Sequence, residues 1–173
     1  PAFLEDYAFM CDAFIQLYQL SFNLHWLNLS RTLADQAINT LYDSKTGMFA
    51  ATGKASAQVV GMQLQLADQS IPSPNAVMGR VMYNLGVLFQ HAYGSNEVVI
   101  TGENALTESL LLRSHYLPQA VFMGSTSQEN LPLLKGKLLP AQTMIYVCSN
   151  RTCKKPVSSA AEALLQLNAF NQH

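Results

Sequence analysis

Two cysteines stand five positions apart in YVCSNRTCKKPV, residues 146–157, in a turn-like basic segment directly after a run that reads as a strand. Thiols at that spacing admit three kinds of chemistry. As a zinc site, Cys148 and Cys153 supply two thiolates, but a closed site takes four ligands and no second Cys-x-x-Cys or His-x-x-x-His pair is present. The other candidates, Cys11, His25, His91, His115 and His173, have no supporting spacing, so no metal is assigned. As a disulfide, the six residues can bend to bring the sulfurs together, and Arg151, Lys154 and Lys155 would lower a thiolate's pKa and make the pair reactive. As a structural feature, the cysteines are small buried hydrophobes anchoring a turn between the last strand and the last helix. The pair is therefore redox-active or structural.

Other side chains have the right type for catalysis or binding. Glu5 and Asp6 fall in the first turn of a helix, where carboxylates face the positive end of the backbone dipole; adjacent residues point to different faces, so they are not a catalytic dyad. His25 and Trp26, at the start of a second helix, could stack on a sugar ring with the imidazole as acid or base, or belong to the core and its rim. In IPSPN, helix initiation accounts for Ser73 and Pro74, which leaves Asn75 with spare chemistry. The turn Gly102–Asn104 follows a strand and opens a helix, a place where phosphate is often held. One glycine is far from a G-x-G-x-x-G pattern, however. Gly102, Gly124 and Cys148 are all expected near the carboxyl ends of strands, the ligand-binding edge of open parallel sheets.

The elements that position these residues follow from hydrophobic spacing. Residues 3–20 carry apolar side chains at Phe3, Leu4, Tyr7, Ala8, Cys11, Phe14, Ile15 and Tyr18, one face of a helix. Residues 24–42 repeat the pattern, and the short polar link between them predicts an antiparallel hairpin. Asp43, Ser44 and Gly47 stop the second helix, GMFAAT reads as a short extended piece, and residues 54–69 fit strand or helix equally. A third helix opens at Pro74, capped by Ser73. After Gly94 the pattern changes: EVVIT (97–101) and QAVFMG (119–124) read as strands around a helix over 104–115, predicting a parallel pair with a crossover. QTMIYVC (142–148) is a third strand, and Ser159 with Glu162 forms the capping box of a last helix reaching about Phe170.

With 173 residues, 49% hydrophobic and only 12% charged, the chain can bury a real core and is not disordered. The low charge suggests a missing partner or missing sequence, and the opening PAFLEDYAFM, without Met or a signal-peptide pattern, reads as cut from something longer. A net charge of −1 gives no general reason to bind nucleic acid or a membrane surface, and the basic stretch from Lys135 to Lys155 lacks interleaved aromatics for base stacking. No run is long and apolar enough to span a bilayer. Three cysteines favour a reducing, cytoplasmic setting over a disulfide scaffold.

Five blocks, LEDYAFM (4–10), HWLNLSRTLADQAI (25–38), IPSPN, EVVITGENA (97–105) and YVCSNRTCKKPV, resemble in the same order the carboxy-terminal part of the YyaL-type thioredoxin-domain-containing proteins, also called the spermatogenesis-associated thioredoxin-like family. The resemblance implies a parent with an amino-terminal thioredoxin-like domain, absent here with its Cys-x-x-Cys region, followed by an (α/α) toroid similar to those of sugar epimerases and glycosidases. It further implies more helical sequence between Gln90 and EVVIT, where this chain has only HAYGSN, and hence an incomplete toroid. By the same likeness, Asp6 would handle a proton or sugar hydroxyl beside Tyr7; His25, Trp26 and Asn75, read above from their types and positions, complete the candidate ligand-binding residues.

The expected fold is thus mainly α with a small α/β element. Toroid-like helical hairpins (1–94) precede a short parallel sheet (95–173). Two functions are carried forward: a structural or interaction region that completes a thioredoxin-like partner domain of the parent chain, needing no cofactor, and a carbohydrate-binding or carbohydrate-active site.

Overall fold

The computed structural model describes residues 3–53, 64–68, 70–89, 96–127, 131–150 and 152–169. The ambiguous stretch 54–69 lies mostly outside them. The chain divides into two units, Pro1–Gln16 with His25–Asn84, and Leu17–Leu24 with Leu85–His173.

The first unit is built on helices α1 (Leu4–Ser21), α2 (Leu24–Leu41) and α3 (Pro74–Leu88). The apolar stripe of α1 buries Leu4, Ala8, Cys11 and Ile15, and α2 answers with Leu27, Ala34, Ala37 and Leu41. Small residues let the two backbones approach, and the seam is fixed by reciprocal bonds: Ser30 Oγ donates to the Cys11 carbonyl at 3.0 Å, and Cys11 Sγ to the Ser30 carbonyl at 3.4 Å. Both groups are buried, so this pairing avoids two unsatisfied polar atoms. A two-residue ladder, β1 (Tyr42–Asp43) with β2 (Met48–Phe49), follows α2. Asp43 shapes its turn by accepting from Lys45 N, Thr46 N and Thr46 Oγ1, with Gly47 at φ 72°. Ser73 caps α3 as its spacing predicts, accepting from Ala76 N at 3.2 Å with Pro74 first in the helix.

The second unit holds a four-stranded sheet in the order β4 (Ala120–Ser125), β3 (Asn96–Thr101), β5 (Met144–Ser149), β6 (Thr152–Cys153). Helices α4 (Ala105–Arg113) and α5 (Ala160–Asn168) cover one face. β3 and β4 are parallel around α4, as the strand–helix–strand pattern predicts. The expectation of a parallel sheet is otherwise corrected: β5 runs antiparallel to β3 and β6 antiparallel to β5, so the sheet is mixed. A parallel third strand would need a second crossover back to the start of β3. Here the chain leaves the carboxyl end of β4 through the 3-10 turn Pro132–Leu134 and enters β5 from that same edge.

Val98, Ile100, Phe122, Ile145 and Val147 pack with Ala105 and Leu112 of α4, Ala160, Ala163 and Leu167 of α5, and Phe22. Phe22 adopts φ 53°, unfavourable for a side chain with a Cβ, but its ring is buried over Gly124. A Cβ at residue 124 would strike that ring, which explains the glycine within a strand. Gln19 supplies what the edge strand β4 lacks: its Oε1 accepts from Phe122 N at 2.9 Å, satisfying a buried main-chain donor. The last helix starts as its capping box predicts, with Ser159 Oγ accepting from Glu162 N at 3.4 Å. Glu108 of α4 adds a second acceptor there, for Ala160 N at 2.7 Å.

Candidate functional site

In the helical unit, the structure gives the sequence-predicted residues separate surroundings. Asp6 is the third residue of α1 and its Oδ2 accepts from Phe3 N at 3.1 Å, the reach-back half of a capping box. Tyr7 beside it is half-buried. Trp26 stacks on Phe14 with centroids 5.7 Å apart and takes the exposed His25 edge-on at 5.3 Å. Phe14 lies eight residues beyond Asp6, about 12 Å along the helix axis, so the aromatic group and the carboxylate occupy different levels of α1. Asn75 binds main chain throughout: its Oδ1 accepts from Phe49 N at 2.9 Å, and its Nδ2 donates to Phe49 O at 3.0 Å and Gln65 O at 3.3 Å.

A cavity of about 260 Å³ does open in this unit, lined by Glu5, Leu64, Gln65, Ile71 and Ser73–Pro74. It uses the IPSP loop that sequence reasoning singled out, but its carboxylate is Glu5. Neighbouring residues in a first helical turn face different ways, so a sequence reading that settles on Asp6 misses this one.

In the α/β unit, a cavity of about 290 Å³ sits at the carboxyl ends of the parallel strands, lined by Ser21–Asn23, Leu106 and Gly124–Ser127. Gly102 and Gly124 lie at this edge as expected. Cys148 does not: β5 is reversed, so its carboxyl end is at the opposite edge. Two main-chain donors of the Gly102–Asn104 turn are engaged, Gly102 N with Ser125 O at 3.0 Å and Asn104 N with Thr143 Oγ1 at 3.0 Å. Gly102 has φ 107°, and a Cβ there would strike the Gln142 carbonyl.

Cys148 and Cys153 are joined as a disulfide. They are direct partners across the β5–β6 hairpin, with Ser149 opposite Thr152. Asn150 has φ 50°, the left-handed conformation that asparagine tolerates in tight turns. Lys154 N donates to Val147 O at 2.9 Å, so the cysteines occupy the neighbouring non-hydrogen-bonded pair, where cross-strand side chains come closest. The five-position spacing is therefore that of a tight hairpin. Among the described residues no three His, Cys, Asp or Glu side chains gather as metal ligands. The hairpin's exit is tied to α5 by Lys154 Nζ donating to Gln166 O at 3.0 Å and Gln166 Nε2 to Lys155 O at 2.9 Å. Cys11, the third cysteine, is buried, and burial pushes its thiol up to about 11.

Sequence reasoning missed Glu97. It stands on β3 directly opposite Cys148 and is only 3% exposed. Its one visible signal is a charge opening an otherwise β-branched strand.

No protein-family model matches the chain. The chain is similar to human spermatogenesis-associated protein 20, at 24% identity over 210 residues that include 92% of this chain and 26% of that protein. It thus spans about a quarter of that relative's length. The alignment is longer than the chain itself, so the relative has residues at positions where this chain has none. The likeness supports a distant relation. Among the described residues no helix is long and apolar enough to cross a membrane.

Proposed function

We propose that this chain acts as a structural or interaction region of a larger protein, and that it docks the thioredoxin-like domain of its parent chain. The observation that carries this reading is that, among the described residues, neither of the two cavities above is lined by Asp6, Tyr7, His25, Trp26 or Asn75. Asp6 and Asn75 instead hold main chain in place. Support for docking comes from α4 and α5, which leave Leu110, Leu111 and Leu165 at 58%, 53% and 71% exposure. Large apolar side chains outward on adjacent helices mark a surface that a partner would cover. Calorimetric titration of the chain with the separately produced thioredoxin-like domain tests the proposal. Binding weakened by Leu110→Asp and Leu165→Asp supports it, and no heat at high micromolar concentration refutes it.

A second reading, carbohydrate binding, has one observation in its favour: the cavity beside the IPSP loop offers Glu5, Gln65 and Ser73 as polar groups for sugar hydroxyls. A thermal-shift screen of sugars and sugar phosphates tests it. Stabilisation lost in Glu5→Gln supports this second reading; a flat screen removes it.

A further inference from the structure

One row of residues crosses all four strands: Val121 on β4, Glu97 on β3, Cys148 on β5 and Cys153 on β6. Direct cross-strand partners share a face, with Cβ atoms about 4.5–5.5 Å apart, so the Glu97 side chain stands beside Cys148. Glutamate is rarely this deeply buried, and one of its direct cross-strand neighbours is a disulfide cysteine. The two sulfurs are not equivalent. Cys148 is fully buried on the inner strand, whereas Cys153 is only partly buried on the edge strand and is followed by Lys154 and Lys155. Ammonium groups there favour the approach of a thiolate.

We propose that Cys148–Cys153 is a thiol–disulfide exchange site for a dithiol reductant, with Cys153 the sulfur attacked and Glu97 the proton donor to Cys148. A thiolate of the dithiol attacks Cys153 Sγ, forming a mixed disulfide as the Cys148–Cys153 bond breaks. The electron pair of that bond goes to the Cys148 sulfur, which takes the proton from Glu97. The dithiol's second thiolate attacks its own partner sulfur in the mixed disulfide and expels Cys153, which is protonated from water. Glu97 regains its proton from solvent. Two electrons pass from the dithiol to the chain, the dithiol leaves as a disulfide, and the protons it lost to solvent balance those taken up at Cys148 and Cys153. The β5–β6 hairpin then loses its crosslink beside the Lys154–Gln166 tie to α5, so exchange would loosen the end of this unit.

The test uses the whole folded chain. Glutathione, a monothiol, has no second thiol of its own to resolve the mixed disulfide, and peptide mapping after an early acid quench is expected to place its adduct on Cys153; an adduct on Cys148 overturns the assignment. Dithiothreitol is expected to reduce the bond without unfolding, read by alkylation and intact mass, and reduction only in denaturant overturns the proposal. Glu97→Gln is expected to slow reduction of the folded chain about tenfold or more, while leaving the rate in denaturant unchanged. A folded-state rate equal to or above that of the unaltered chain removes Glu97 from the scheme. Should Glu97→Gln fail to fold, the adduct position and the native reduction of the unaltered chain decide.

Discussion

Replacing Asn75 separates a side chain that holds the fold together from one that waits for a ligand. Its amide makes three bonds to main chain, two of them to the amide and carbonyl of Phe49, a residue 8% exposed. At a net ~1 kcal/mol per hydrogen bond, with a larger penalty where a buried partner is left unsatisfied, Asn75→Ala should cost ~2–3 kcal/mol. For a chain of this size that lowers the melting temperature by ~5–10 °C. Asn75→Asp discriminates further. The acceptor toward Phe49 N survives, but a carboxylate oxygen now faces the Phe49 carbonyl, which lay 3.0 Å from Nδ2. A negative charge in the first turn of α3 recovers only ~0.3–1 kcal/mol from the helix dipole, less than the donor bonds it removes, so Asn75→Asp should also destabilise. Denaturant titration followed by circular dichroism measures both. A cost below ~0.5 kcal/mol for Asn75→Ala, the range of an ordinary surface substitution, would refute the clasp, and would return Asn75 to the ligand-binding reading if sugar binding were lost at the same time.

Three further outcomes follow from the geometry. Gly102→Ala forces a Cβ into the Gln142 carbonyl at a φ that favours glycine, and should cost on the order of 2–4 kcal/mol in chemical denaturation. Gln19→Ala leaves the buried Phe122 amide without its acceptor, for a loss of about 1–3 kcal/mol. Burial raises the Cys11 thiol from 9.0 to about 11, opposed by its contact with Ser30. The unfolded chain therefore ionises first as pH rises, and the stability this thiol contributes is complete below 9.0 and lost as pH climbs toward about 11. Denaturation midpoints across that window should fall more steeply for the unaltered chain than for Cys11→Ala, and Cys11 should resist iodoacetamide in the folded protein below it.

The helices were legible because their burial is periodic. Leu4, Ala8, Cys11, Ile15 and Tyr18 repeat at the spacing of one helical face, and all five are buried. The parallel β3–β4 pair was legible too, since a helix between two apolar runs has few ways to connect them. The direction of β5 was not, because the link from Thr126 to Thr143 carries no hydrophobic period, and only its path decides which way the strand enters. That reversal also moved Cys148 to the far edge of the sheet. The duties of Asn75 escaped sequence reasoning because its partners Phe49 and Gln65 are distant or featureless in sequence. Glu97 escaped it because register, which no local pattern reveals, sets it beside Cys148. The disulfide itself had a readable signal in SNRT: a tight turn between Ser149 and Thr152 makes the cysteines cross-strand neighbours.

Whether this chain is an interaction region for a thioredoxin-like domain is decided by calorimetric titration of the two separately produced parts. Saturable binding at micromolar concentration is expected, weakened by Leu165→Asp on α5 without a lower melting temperature. No binding at high micromolar concentration would refute it, and stabilisation by a sugar that Glu5→Gln abolishes would favour the carbohydrate reading in its place.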